Sequence, residues 1–344
     1  MKALLGGILT PDLLTAVAGH PVRPPLGLVQ GGPTGRSRDK RILFLIEPGA
    51  RHPFALVKWA QGAEAAGLAR ETAALAQIHA AGDPVLDASC PPSWGPFAIA
   101  PGVQVSVERY LPARGAYAQL RTSLWPRPLV ADHFRRAAGW LDHFARATHG
   151  PTRPFDQALL DEAIAAPLET CAARFDLPAA HVRATLDAAR AHLGRPVALT
   201  AEHGDFWLAN LLLPPAPDAA YVVDWEYFAP AALPSFDMLL FCMTYALEYP
   251  WRPFGWIDPQ TAVARAFVQP ELLRPHISAL LARGCEAAGL PPPLLPALLP
   301  AMLARMALRH AGTTNSTWLA ALAAWWARPA AGWLETWAAD AGAP

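Results

Sequence analysis

Three oxygen-bearing side chains in the middle of the chain have the types and spacing of a phosphate-handling site. His203-Gly204-Asp205 is followed five residues later by Asn210, then by the apolar run Leu211–Leu213, a turn rich in Pro and Asp, a second apolar run Ala220–Val223, and Asp224. Two short apolar runs around a turn read as a hairpin, which presents Asp205 and Asp224 at neighbouring ends. Phosphoryl transfer needs a carboxylate to orient the acceptor hydroxyl and hard oxygen ligands for Mg²⁺. Asp205, Asn210 and Asp224 supply those oxygens, although taken alone they also suit a turn and a strand end.

Lys58 adds a second kind of signal. The chain has three lysines against 25 arginines, and this one lies inside the apolar segment Phe54–Trp59. An ammonium there is costly to desolvate unless something anionic meets it. Glu71, thirteen residues on, is one candidate partner and a nucleotide phosphate is another. The alternative is a lysine on an edge strand whose stem is buried and whose head reaches water.

The elements that must hold these residues are legible in the periodicity. Arg41–Glu47 and Pro53–Trp59 are β-prone runs joined by a Pro48-Gly49 turn of hairpin size, so they should pair antiparallel. Gly62–Ala80 places Leu68, Glu71, Leu75 and Ile78 at three- and four-residue steps, so Glu71 points where the apolar stripe points. Val103–Leu111 alternates as a strand and ends at Pro112. Beyond Asp132 the chain reads as helices at Asp132–Thr148, Gln157–Phe175, Ala179–Leu193, Ser235–Tyr249, Pro270–Ala288, Leu294–Ala311 and Ser316–Ala339. One β-rich island, Pro196–Phe228, interrupts them and carries the chemistry.

Taken in order, the strand lysine Lys58, the helical Glu71 in Arg70-Glu71-Thr72-Ala73-Ala74-Leu75, the HGDxxxxN of His203–Asn210 and the tripeptide Asp224-Trp225-Glu226 resemble the aminoglycoside phosphotransferase and choline kinase group. The resemblance runs from about Gln30 to Asp237. It implies an α+β, bilobal protein-kinase-like fold. The expected parts are an N-terminal nucleotide-binding lobe (1–107) with an antiparallel sheet, a hinge (108–113) and a large helical C-terminal lobe (114–344), with ATP in the cleft. It further implies that Asp205 is the catalytic base, that Asn210 and Asp224 bind Mg²⁺, and that Lys58, braced by Glu71, contacts the α/β-phosphates. The segment Glu108–Pro112, including Glu108 and Tyr110, would offer its backbone to adenine. Asp237 matches an aspartate that is usually structural, Ser235 reads as a helix N-cap, and Glu226 ranks as secondary. One departure is the loop Gln30–Arg38, where Pro33 interrupts the glycines and removes a donor. Arg36, Arg38, Lys40 and Arg41 there read as a solvated hairpin tip in preference to a phosphate-facing cluster.

Composition narrows the function classes. Of 344 residues, 53% are hydrophobic and 16% charged, with Lys+Arg and Asp+Glu both 28, so the chain should fold. It lacks the basic surplus of a sequence-independent nucleic-acid binder. Runs such as Met238–Leu247 are about half the roughly 20 residues of a membrane span. Met1–Gly19 reads as mature sequence rather than a leader. The scattered Cys90, Cys171, Cys242 and Cys285 suggest reduced thiols and a cytoplasmic setting, with no zinc site.

Charge is uneven: residues 1–80 hold nine Lys+Arg and five Asp+Glu, whereas 199–344 hold seven and twelve. A positive first part suits ATP and a negative second part a cationic acceptor. The aromatics Trp207, Trp225, Tyr227, Phe228, Tyr245, Trp251, Phe254 and Trp256 read mainly as packing, with a few available to hold ammonium groups or sugars. The expectation is an ATP- and Mg²⁺-dependent phosphotransferase acting on a hydroxyl of an amino sugar, other saccharide or amino alcohol, with no nucleic-acid partner. A nucleotide-binding pseudoenzyme or assembly partner is the competing reading. A His203–Asp205 hydrolase is remote, because no serine or cysteine sits in a nucleophile elbow.

Overall fold

The computed structural model describes residues 7–30, 39–250, 258–268, 272–312 and 315–327. Internal contacts divide the chain into two compact units. The first holds Met1–Arg114 with Leu212–Phe228, the second Gly115–Leu211 with Ala229–Pro344. The sequence reading drew one cut at 108–113; the structure returns the segment carrying Asp224 to the first unit.

In the first unit, helix α1 (Pro11–Ala18) is capped by Thr10, whose hydroxyl accepts from the Leu13 amide at 3.3 Å. Strands β1 (Gly27–Gln30), β2 (Lys40–Ile46) and β3 (Ala55–Gln61) precede helix α2 (Ala63–Ala80), a short helix α3 (Pro84–Ser89), and strands β4 (Ser93–Ala100) and β5 (Val103–Arg109). The sheet order is β1-β2-β3-β5-β4. β2 and β3 are antiparallel as expected, with Ile42 opposite Lys58, and Lys58 lies opposite Ser106 of β5. Strand β4 escaped the sequence reading because Gly95-Pro96 looks like a turn. It is tolerated because β4 is an edge strand with a register shift between Trp94 and Phe97.

Strand alternation sorts this sheet into two faces. Leu43, Leu45, Ala55, Val57, Val105 and Val107 are buried with Leu14 and Val17 of α1 in one apolar cluster. Their strand neighbours Lys40, Lys58, Ser106 and Glu108 fall on the opposite side, and all four are buried too. Helix α2 packs against β3, β4 and β5 and buries Leu68, Glu71, Leu75 and Ile78, the stripe expected from its spacing.

The second unit is mainly helical. It contains α4 (Ala116–Thr122), α5 (Arg127–Ala147), α6 (Ala166–Phe175) and α7 (Ala179–Arg190). Helix α5 starts earlier than expected because Pro128 is tolerated in a first turn. The single helix expected over Gln157–Phe175 is interrupted by a π-helical turn at Asp161–Ala165 ahead of Pro167. The short strands β6 (Leu211–Leu213) and β7 (Tyr221–Val222), which lie in the first unit from Leu212 on, pair as the expected hairpin. Helices α8 (Phe236–Glu248), α9 (Arg274–Ala288), α10 (Leu295–Arg309) and α11 (Asn315–Trp326) follow among the described residues.

The apolar run Met238–Leu247 becomes the buried helix α8. Its Phe241 and Tyr245 pack on Phe134 of α5 at ring-centroid distances of 5.2 and 4.7 Å. Among the described residues, no single helix is long and apolar enough to cross a membrane.

Candidate active site

In the first unit, the faces of the sheet decide which charges meet. Lys58 Nζ lies 2.5 Å from Glu71 Oε1 and 2.8 Å from Glu108 Oε1, with all three residues no more than 5% exposed. Glu71 Oε1 also accepts from the Trp225 amide at 3.2 Å, while Glu71 Oε2 is buried without a hydrogen-bond partner. Burial alone would depress the Lys58 ammonium, but the Glu108 and Glu71 carboxylates more than offset it and hold it raised. Burial pushes Glu108 above the ordinary carboxylate range, with Lys58 opposing.

Glu108 meets Lys58 through its side chain because strand alternation puts the two on one face, while its backbone lies in the β3–β5 ladder. The Tyr110 amide donates to the Phe54 carbonyl at 2.9 Å.

Asp224 has φ of 69°, in the left-handed region, and its Oδ1 is 3.1 Å from Lys40 Nζ, which also lies 3.6 Å from Glu226 Oε2. Arg70 donates to the Glu226 carbonyl at 3.2 Å. Glu226 reaches this position because Gly67 has no side chain: a Cβ there would stand 2.7 Å from Glu226 Oε2. Burial, then the Asp224 charge, raises the Glu226 carboxyl. Against burial, Asp224 and Glu71 hold the Lys40 ammonium raised.

Lys40 is thus a correction to the solvated hairpin tip: it is 9% exposed, whereas Arg41 is exposed with its guanidinium 5.5 Å from the centre of the Trp59 ring. The scarcity argument that singled out Lys58 applied equally to Lys40 and could have found it. Gly31–Gly35, Arg36 and Arg38 lie outside the described residues.

The group formed by Glu71, Glu108, Asp224 and Glu226 with Lys40 and Lys58 has four formal negative charges and two positive. That surplus repels a bare polyphosphate and favours a divalent cation accompanying it. Among the described residues, no three His, Cys, Asp or Glu side chains form a metal cage. Mg²⁺ fits such a donor set, since it is commonly held by one or two carboxylates, waters and substrate phosphates.

In the second unit, the loop bearing Asp205 is fixed from three sides. Gly204, with φ of 78°, takes a conformation open to glycine at no steric cost. The His203 and Gly204 amides donate to Asp237 Oδ2 and Oδ1 at 2.7 and 2.9 Å, so Asp237 clamps the loop backbone. Ser235 stands at the N-cap of α8 but makes no capping bond with its side chain.

Asn210 Nδ2 donates to the Asp205 carbonyl at 2.9 Å and to Asp205 Oδ2 at 3.1 Å. Arg309 of α10 donates to the Gly204 carbonyl at 2.6 Å and lies 3.4 Å from Asp205 Oδ1. Arg309 went unnoticed in the sequence because nothing local marks one arginine among 25.

Asp205 borders a cavity of about 500 Å³ together with Trp207, Glu248 and Trp318. Of the aromatics singled out by sequence, Trp225 and Tyr245 are fully buried and Trp207 is half-buried. Trp251, Phe254 and Trp256 lie outside the described residues.

No protein-family model matches the chain, and no curated protein matches it by sequence. Solved structures match it by fold. A thermostable mutant of the aminoglycoside phosphotransferase APH(4)-Ia, in its apo form, aligns over 97% of this chain and 100% of its own at a TM-score of 0.53 and 14% identity. The same enzyme's D198A form, in a ternary complex with ADP and hygromycin B, aligns over 97% and 99% at 0.53 and 14%. A further APH(4)-Ia structure covers 100% of both chains at 0.53 and 12% identity. The chain has the α+β, kinase-like fold of the aminoglycoside phosphotransferases, as its motifs led one to expect.

Proposed function

We propose that this chain is an ATP-dependent phosphotransferase acting on a hydroxyl of a small molecule, within the aminoglycoside phosphotransferase family whose fold it has. The observation that carries the reading is the setting of Asp205. One carboxylate oxygen is held by Asn210 and the other faces Arg309, at the wall of a cavity large enough for a small molecule. A carboxylate so oriented can take the proton of an acceptor hydroxyl as that oxygen bonds to the γ-phosphorus and the bond from γ-phosphorus to the bridging oxygen breaks, leaving ADP.

The first unit supplies the other half of the chemistry. Lys58, kept charged by Glu71 and Glu108, is assigned to the nucleotide phosphates. Asp224 and Asn210 are assigned to Mg²⁺, which would neutralise charge on the transferring group. Lys40 joins this set as a second ammonium beside Asp224. The aminoglycoside phosphotransferase with bound ADP and hygromycin B supports a nucleotide donor and a small acceptor.

The test is Mg²⁺- and ATP-dependent phosphate transfer across amino sugars, saccharides and amino alcohols, with Asp205→Asn in parallel. A loss of roughly 10²- to 10⁴-fold in kcat is expected. Equal turnover by that variant would remove Asp205 from its role, and tight nucleotide binding with no transfer to any acceptor would favour the binding-only alternative.

A further inference from the structure

The cavity beside Asp205 has a composition that bears on the acceptor. It measures about 500 Å³, and its wall includes Trp207, Leu240, Met306 and Trp318, of which Leu240, Met306 and Trp318 are buried. Thr244 also borders it, but its hydroxyl is engaged within α8, donating to the Leu240 carbonyl at 2.8 Å. His310 borders it as a neutral imidazole, since burial and then Arg309 push its pKa down.

Among the described lining residues, Asp205 and Glu248 are the two acids, and none is Lys or Arg. Asp205 is already engaged by Asn210 and Arg309. Glu248 is different: its Oε2 is buried with no hydrogen-bond partner. Burial raises its pKa, against the opposing influence of Arg121 and of a hydrogen bond with Tyr117. A half-buried carboxyl with one idle oxygen is stabilised by an incoming cation.

A polycationic saccharide matches this wall poorly. Among the described lining residues, one idle carboxyl can receive one ammonium, and further amines and ring hydroxyls would lose water against Leu240, Met306 and Trp318 without gaining partners there. An apolar body is what such a wall accepts, and indole faces add an attraction for a cationic nitrogen.

Building on the phosphotransferase reading, we propose that the acceptor is an amino alcohol with a predominantly apolar body and a single cationic nitrogen. Trp207, Trp318, Leu240 and Met306 enclose the body, Glu248 receives the ammonium, and the hydroxyl is delivered to Asp205. The hydroxyl proton passes to Asp205, the new bond joins the acceptor oxygen to the γ-phosphorus of ATP, and ADP leaves.

The experiment uses the full chain with Mg²⁺ and ATP and three sets of acceptors. These are hydrophobic tertiary-amine alcohols with one nitrogen, the corresponding secondary-amine alcohols before and after N-acylation, and a polycationic aminoglycoside. Transfer is followed by ADP release, and binding of each acceptor without nucleotide by calorimetry. The single-amine alcohols are expected to exceed the aminoglycoside at least tenfold in kcat/KM. N-acylation, or Glu248→Gln with the free amine, should each cost roughly 10- to 100-fold.

Preference for the aminoglycoside, or indifference to both N-acylation and Glu248→Gln, overturns the inference and leaves the phosphotransferase reading standing. Binding of the amine that weakens on N-acylation, with no transfer to anything, upholds the acceptor chemistry and sinks the phosphotransferase reading. Absence of both binding and transfer for the amines overturns the inference. The N-acylated compounds keep the test decisive should Glu248→Gln fail to fold.

Discussion

Lys58 sits between two carboxylates at 2.5 and 2.8 Å in a place water does not reach, so its removal exposes an imbalance rather than a mere gap. Lys58→Met leaves Glu71 and Glu108 buried together without a counter-charge, and a destabilisation of about 3–5 kcal/mol is expected. Urea denaturation checks it, and Lys58→Met combined with Glu108→Gln should recover part of the loss; a cost below about 1 kcal/mol for the single change would mean the charges are not desolvated as a set. Lys40 makes a different prediction, because its ammonium lies on an Asp224 oxygen that is assigned to the metal. Lys40→Met should lower the Mg²⁺ concentration that half-saturates turnover by several fold, since ammonium and metal compete for the same oxygen. A magnesium titration that overlays the wild type would place Lys40 elsewhere in the reaction.

At the scale of elements, the loop before Asp205 depends on the first turn of α8. Asp237 accepts two backbone amides of that loop, one on each oxygen, and an asparagine can accept only one of them while turning an NH₂ toward the other. Asp237→Asn is expected to cost about 1–3 kcal/mol of stability and to lower kcat more than it raises KM, because Asp205 loses its fixed position; unchanged kinetics would show that the loop holds itself. Helix α5 gives a pH prediction. His133 is fully buried against the Tyr245 hydroxyl at 3.1 Å, and burial lowers its pKa from 6.5 to about 4. Its folded pKa lies below its unfolded one, so its contribution is complete above about 6.5 and is lost as pH falls towards 4, a total of about 3 kcal/mol. Stability measured from pH 7.5 to 4 should fall through that window, and His133→Gln should flatten the slope by about one proton. An identical slope in the variant would assign the titration to another group.

For the molecule as a whole, the proposed function predicts that the excess of carboxylates around Lys58 and Lys40 makes nucleotide binding conditional on Mg²⁺. ATP with Mg²⁺ at about 100 times its Kd stabilises by about 2.7 kcal/mol, which for 344 residues raises Tm by about 4 °C. ATP with a chelator should give a much smaller rise, and equal shifts in the two conditions would contradict the charge count. Much of this protein was legible in one dimension because the relevant patterns are local. Alternation in Phe54–Trp59 sets Lys58 opposite the apolar face, and three- and four-residue steps put Glu71 on the buried stripe of α2. A five-residue spacing likewise lets Asn210 reach Asp205. By itself, then, the sequence determined the kinds of element, the faces they bury and the order of the charged residues along them. Only the tertiary structure decided the long-range partners within each unit: Lys40 on Asp224 across 184 residues in the first, and in the second Arg309 on Asp205 across 104 and Glu248 on the wall of the cavity. Contacts over such separations leave no periodicity to read, because they depend on where whole elements pack and not on the step from one residue to the next.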